Sequence, residues 1–227
     1  MDLKDLCSEW RRDLTRYRMP RSEELSGRIL TIDFPRVGQR KLAIADGLLR
    51  IDDEDAIPFD CVKCGDEAYY LAPRKENGAE VYVLELFEGG AVCADLRPGG
   101  AGLLTGTLAG SRRRPEGIDP ATLAGNRFRW TMGIAPGSVA EVAFSEAAAE
   151  LSFPEDCGRP LLKTGRFGGV RLTDRLYVLA FDFETGEGST GICAAVDFAR
   201  VTMTGAVFAE DGLTIIGGYG RAAANGR

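Results

Sequence analysis

From Leu25 onward, no apolar run in this chain outlasts a single β-strand before Gly, Pro, Asp or Asn interrupts it. That grammar leaves no room for long helices and places the chain among proteins of short strands and tight turns. The first half reads as strands over Arg28–Phe34, Lys41–Ala45, Leu48–Ile51, Ala68–Ala72, Glu80–Phe87, Ala91–Leu96 and Leu103–Leu108. Asp46-Gly47 between two apolar runs is a hairpin signal, and Asn77-Gly78 and Gly89-Gly90 are further turns. The second half repeats the pattern over Phe128–Met132, Val139–Phe144, Ala149–Phe153, Val170–Leu172, Leu176–Phe183, Ile192–Phe198, Thr202–Phe208 and Leu213–Ile216. Strands this regular, with no helices between them, predict a sandwich or a barrel.

Ahead of the strands, Leu3, Leu6, Trp10, Leu14 and Tyr17 recur at helical spacing with charges between them, so residues 1–20 are expected to form a helix that Pro20 stops. The stretch Ala109–Pro120, charged and rich in Gly and Pro, is the linker candidate. The expected organisation is a helix (1–20), a first β unit (21–110), a linker (111–120), a second β unit (121–220) and a tail (221–227). The two units echo each other. Leu25-Ser26-Gly27-Arg28 matches Leu123-Ala124-Gly125-Asn126-Arg127, Glu80–Leu84 matches Arg175–Leu179, and Cys93-Ala94-Asp95 matches Cys193 to Asp197. Offsets of about 95 to 100 residues, kept in order, point to duplication of a whole small barrel rather than of a solenoid unit.

Composition narrows the chemistry. The chain has 227 residues, 44% hydrophobic, with 28 basic against 34 acidic side chains and a net charge of −6. That apolar fraction suffices for a core, and the charge balance argues against nucleic acid as a partner. Arg112-Arg113-Arg114 is the densest basic run and reads as a solvated loop. No segment reaches the roughly 20 apolar residues that span a bilayer, and no signal peptide is legible at the start. The expected compartment is the cytoplasm, where the six cysteines would stay reduced. There is no histidine. Ser/His/Asp and Cys/His catalysis, His-based metal sites and a His general base are therefore excluded. No metal, nucleotide or other cofactor is expected.

The order of Asp174–Glu184, then Asp197-Phe198, then Thr204-Gly205-Ala206-Val207-Phe208 resembles the MoaF-like proteins, a family named for molybdenum cofactor biosynthesis and related to lipocalin-type (calycin) barrels. The Leu-x-Gly-Arg opening and Tyr69-Tyr70 are similar to the family's N-terminal part. The resemblance covers most of the chain after the first helix. It implies an all-β fold of two tandem lipocalin-like antiparallel barrels behind an N-terminal helix. Family members often carry histidine near the first hairpin of the second half, where Gly137–Phe144 here has none, so no role of that residue carries over.

Several side chains stand out as site candidates. On Leu176–Glu184, one face carries Tyr177, Leu179, Phe181 and Phe183, and the other ends in Asp182 and Glu184. Asp182 or Glu184 on an apolar barrel wall would have a raised pKa and could act as a base, helped by Tyr177. Alternatively, both acids simply face water. Arg127 and Arg129 share one face beside Trp130; turned inward they would need a carboxylate or an anionic ligand. In the first half, Tyr82 and Glu85 are the matching polar groups, and with Trp130, Arg127, Arg129 and Phe181 they complete the expected ligand-binding set. Cys61-Val62-Lys63-Cys64 invites metal or redox readings, but no second C-x-x-C accompanies it. Cys93 and Cys193 read as equivalent buried thiols.

Two functions fit. The first is a cofactor-independent enzyme of the lyase, isomerase or cyclase type, acting on an apolar, aromatic or secondary-metabolite substrate held in a barrel. The second is a non-catalytic carrier or sensor of small hydrophobic ligands, with the crevice between the halves as another place for a site. The expected partner in either case is a small apolar or aromatic molecule, not nucleic acid or membrane, and a homo-oligomer is compatible with both.

Overall fold

A computed structural model of the chain describes residues 19–74, 79–97, 100–111, 113–131, 139–146, 148–152, 163–185, 188–209 and 212–222. The expected N-terminal helix lies outside the described residues. The strands are β1 (Ile29–Phe34), β2 (Gly38–Ala45), β3 (Leu48–Ile51), β4 (Ile57–Lys63), β5 (Ala68–Pro73), β6 (Ala79–Glu85), β7 (Gly90–Arg97) and β8 (Gly100–Leu108). There follow β9 (Glu116–Gly117), a 3₁₀ turn (Pro120–Leu123), β10 (Arg127–Thr131), β11 (Val139–Phe144), β12 (Ala148–Ser152) and β13 (Lys163–Arg171). The chain then forms β14 (Leu176–Thr185), β15 (Gly188–Asp197), β16 (Thr202–Ala209) and β17 (Gly212–Ala222). Strand β4 has no counterpart in the sequence reading. The linker is not bare: β9 lies within it and pairs with β13.

Strands β1 to β8 form one closed antiparallel barrel. A second eight-stranded barrel runs from β10 to β17, closed by the β10–β17 pairing on one side of β10 and by β12–β13 within the sheet. The Asp46-Gly47 turn forms as expected, with positive φ at both residues. Each barrel also opens the same way. Gly27 and Gly125 both sit at φ +79°, which favours glycine. Gly27 N–H donates to the Ile44 carbonyl, and Gly125 N–H donates to that of Phe144 (2.8 and 2.9 Å). Leu25 and Leu123, two residues earlier in each case, are buried within the interior clusters of their barrels.

Three apolar clusters account for the packing. One collects side chains from all of β1 to β8, including Ile32, Leu42, Leu49, Cys61, Leu71, Leu84, Cys93 and Leu108, and is the inside of the first barrel. A second draws on every strand from β10 to β17 and is the inside of the second barrel. The third lies between the barrels. It joins the outer faces of β5–β8 (Tyr70, Val81, Val83, Val92, Leu96) to Val170, Val178, Cys193, Ala206, Phe208 and Ile215 on β13–β17. Within it the Tyr70 hydroxyl donates to the Cys193 carbonyl at 2.9 Å. Both faces of β14 are therefore apolar because one lines a barrel and the other docks on its neighbour. Burying the larger of these side chains contributes about 1.5–3 kcal/mol each. On the far side of the first barrel, β1 and β2 alternate exposed and buried positions, as a wall facing water on one side should.

The topology corrects part of the repeat. Glu80–Leu84 lies on the sixth strand of its barrel, whereas Leu176–Leu179 lies on the fifth. By strand order the partner of β14 is β5, which aligns Tyr69-Tyr70-Leu71-Ala72 with Tyr177-Val178-Leu179-Ala180. Cys93 and Cys193 are not equivalent either: the first faces into its barrel, and the second faces the junction.

Candidate ligand site inside the second barrel

Aromatic rings line the second barrel. Period-two alternation puts Phe128 and Trp130 of β10 on the inner face, along with Phe181 and Phe183 of β14. Phe144 and Phe167 come from β11 and β13, and Tyr177 and Phe198 pack against the cluster at its edge. Phe128 stacks on Trp130 (centroids 5.6 Å apart, planes 24°), and Phe181 on Phe183 (5.7 Å, 14°). Phe167 meets Phe144 edge-on at 5.1 Å, and Tyr177 meets Phe198 likewise at 5.1 Å. Glycines on neighbouring strands admit these rings. A Cβ on Gly220 would stand 2.8 Å from Trp130 Cδ1, and one on Gly165 2.8 Å from Phe183 Cδ1. Bare backbone beside an aromatic ring is a common device in curved sheets.

The two interiors differ in lining: aliphatic side chains predominate in the first, and six aromatic rings face the second. Both interiors bury most of their side chains fully and leave slight access on a few, 9% at Leu108 in the first and 9% at Phe128, Phe167 and Val207 in the second. An eight-stranded barrel is just wide enough either to fill with side chains or to hold one small ligand. The aromatic lining of the second barrel fits the latter.

One polar atom is out of place in this apolar setting. Trp130 is 2% exposed, and its indole Nε1 has no hydrogen-bond acceptor among the described residues. Buried indole N–H groups ordinarily find a partner.

The expected catalytic residues do not converge. Tyr177 belongs to the interior, but Asp182 is on the opposite face of β14, directly across from Arg166 on β13. Its Oδ1 is buried without a hydrogen-bond partner among the described residues. Glu184 pairs in register with Ser189, and its side chain lies outside the described residues. Of the expected ligand-binding set, Trp130 and Phe181 are inside. Arg127 and Arg129 are outside, where both bind Glu141, which is 9% exposed, at 2.9 Å. That carboxylate was not singled out from sequence. The signal was its period-two place on β11, directly across from Arg129.

In the first barrel, Tyr82 points inward and its hydroxyl donates to Glu80 at 3.1 Å, with burial pushing the phenol well above its usual pKa. Glu85 faces out. Its carboxylate accepts the backbone N–H groups of Phe87, Glu88 and Gly89, at 2.8, 2.7 and 3.2 Å. Asp197 holds the turn after β15 in the same way, accepting from Ala199 and Arg200, both at 2.9 Å. The two acids line a groove of about 500 Å³ between the barrels, with Arg113, Asp174 and Arg175 on its walls. Arg113 is engaged there by Glu88 and Asp174.

The Cys61 and Cys64 thiols diverge, one inside the first barrel and one toward the junction. Among the described residues no group of three or more His, Cys, Asp or Glu side chains could hold a metal. Burial pushes the Cys61 thiol up to about 11 and those of Cys93 and Cys193 to about 12. At pH 8 each is overwhelmingly the unreactive thiol. Treated with N-ethylmaleimide at that pH, the native protein is expected to leave these three cysteines unmodified while denatured protein is fully labelled. Peptide mass spectrometry reads the result, and fast native labelling of any of the three would contradict the sealed packing.

Two closed eight-stranded antiparallel barrels are consistent with a lipocalin-like (calycin-type) fold. Compared with known proteins, the chain matches no protein-family model and no curated sequence. No helix among the described residues is long and apolar enough to cross a membrane.

Proposed function

We propose that the protein is a carrier or sensor that holds one small apolar molecule inside its second barrel. The observation that carries this reading is the set of aromatic rings facing the interior of the second barrel, with the Trp130 indole N–H among them lacking an acceptor among the described residues. Pockets for small organic ligands are concave, largely apolar and sparing in polar groups, and the aromatic lining is of that kind. The carrier reading is preferred to the lyase, isomerase or cyclase reading because general acid–base catalysis needs a proton-transferring group beside the substrate. Of the two expected bases, Asp182 stands on the other side of the wall and the side chain of Glu184 lies outside the described residues, which leaves only the Tyr177 phenol placed in the interior. Assignment to the MoaF-like family, and residence in the cytoplasm, are parts of this proposal. The order of motifs on β14, β15 and β16 supports the first, and the four free cysteines among the described residues support the second.

The test is a titration with N-phenyl-1-naphthylamine, an uncharged probe that fluoresces in apolar surroundings. Saturable binding of one molecule per chain is expected. Val207→Trp, which fills the space beside an inward-facing residue, is expected to weaken binding about tenfold or more while the thermal melt stays within a few degrees. Binding indifferent to Val207→Trp would place the probe elsewhere and sink the reading.

A further inference from the structure

We propose that the ligand of the second barrel is an uncharged aromatic molecule carrying an oxygen or nitrogen acceptor, and that this acceptor takes the indole N–H of Trp130. The inference rests on the lumen reading above and goes on to name the chemistry of the ligand.

Three observations carry it. First, indole Nε1 is a donor only and cannot be satisfied by rearranging its own proton. Trp130 is 2% exposed and this atom has no acceptor among the described residues. The ring has little freedom to seek one, since it stacks on Phe128 and its Cδ1 edge lies over the bare backbone of Gly220. The unmet demand is therefore fixed in position.

Second, the stacked pairs Phe128–Trp130 and Phe181–Phe183 present flat π surfaces to the same interior. Planar aromatic ligands match such surfaces by offset stacking or edge-on contact.

Third, the described residues of the interior offer nothing to balance a charge. The buried polar residues among those described are Asp60, Glu85, Glu141, Asp197 and Thr204. Asp60 binds Arg74, Glu85 and Asp197 hold turns, and Glu141 binds two arginines on the outer wall. Thr204 alternates with the inward-facing Met203, on the junction side of β16. An ionised ligand would be desolvated without a counter-charge. An aryl ketone, aryl aldehyde or neutral phenol meets all three conditions.

The chain has two tryptophans, Trp10 and Trp130, so Trp10→Phe leaves Trp130 as the sole indole. That protein is titrated with 2-acetonaphthone and with 2-isopropenylnaphthalene, which has the same planar shape but a CH₂ in place of the carbonyl oxygen. The ¹H–¹⁵N indole resonance is expected to move downfield with the ketone and not with the alkene. The preference for ketone over alkene is expected to fall about tenfold when Trp130→Phe is added, since that variant keeps the ring and removes the donor. If both probes bind, the preference is unchanged by Trp130→Phe and the indole resonance ignores the carbonyl, the proposal is overturned while the lumen reading stands. If neither probe binds, the lumen reading fails and takes the proposal with it. Should Trp130→Phe not fold, the indole resonance of the Trp10→Phe protein decides alone.

Discussion

Replacing Glu85 with alanine is expected to lower the stability of the protein by about 2–4 kcal/mol, read as a shift of the urea midpoint. Three backbone N–H groups of the β6–β7 turn end on this one buried carboxylate. Leaving a buried donor unsatisfied costs about 1–3 kcal/mol, and water from the adjacent groove recovers part of that. Side-chain packing offers the turn little help: Phe87 at its tip is 86% exposed. The carboxylate ties the loop's own backbone together, and Ser111 and Arg113 hold it from outside through Glu88. Asp197→Ala, which strips two donors instead of three from the corresponding turn after β15, is expected to cost about 1–3 kcal/mol by the same reasoning. A loss below about 0.5 kcal/mol for Glu85→Ala would mean that the turn holds itself.

Gly165→Ala is expected to cost about 3 kcal/mol, whereas Gly168→Ala on the same strand should be neutral or slightly stabilising. At Gly165 an added Cβ would run into the Asp182 carbonyl oxygen and lie 2.8 Å from Phe183 Cδ1. Neither can yield cheaply. The carbonyl belongs to the ladder between β13 and β14, and Phe183, 1% exposed, is packed into the barrel. Gly168 faces outward with nothing within 4 Å of an added Cβ. There, alanine only reduces the freedom of the unfolded chain. Paired thermal melts of the two variants separate a steric requirement at Gly165 from a general dislike of side chains on β13. Equal losses at both positions would defeat the argument.

The sequence reading missed β4 for a physical reason. Pro58 and Asp60 interrupt the apolar pattern of Ile57–Lys63, so no strand is legible there. Proline is tolerated because β4 meets β3 only at Pro58 and Ile57, near the end of the ladder. Asp60 is tolerated because Arg74 bonds it from outside. Losing one strand from the first half left seven to set against eight, so the later echoes slid by one strand. The opening echo survived because Gly27 and Gly125 each perform a task that left-handed backbone restricts to few residues.

The aromatic face of β14 and the place of Trp130 on β10 were legible from alternation, which is a local property of extended backbone. So were most of the strands, the Asp46-Gly47 hairpin and the division into two similar β units. Which face is inside was not. Alternation marks the inner face only where the outer one meets water, as on β1 and β2. On β14 both faces are apolar because a second barrel covers the outer one, so nothing local told Asp182 from an inward acid. The arginines of β10 posed the same problem, since Glu141 reaches them only across a strand pairing. Closure of the barrels decided these orientations, and their docking decided which outer faces stay dry. Whether Trp130 Nε1 has a partner is likewise a fact about eight strands at once. Contacts between residues far apart in the chain set that, and no short window of sequence contains them.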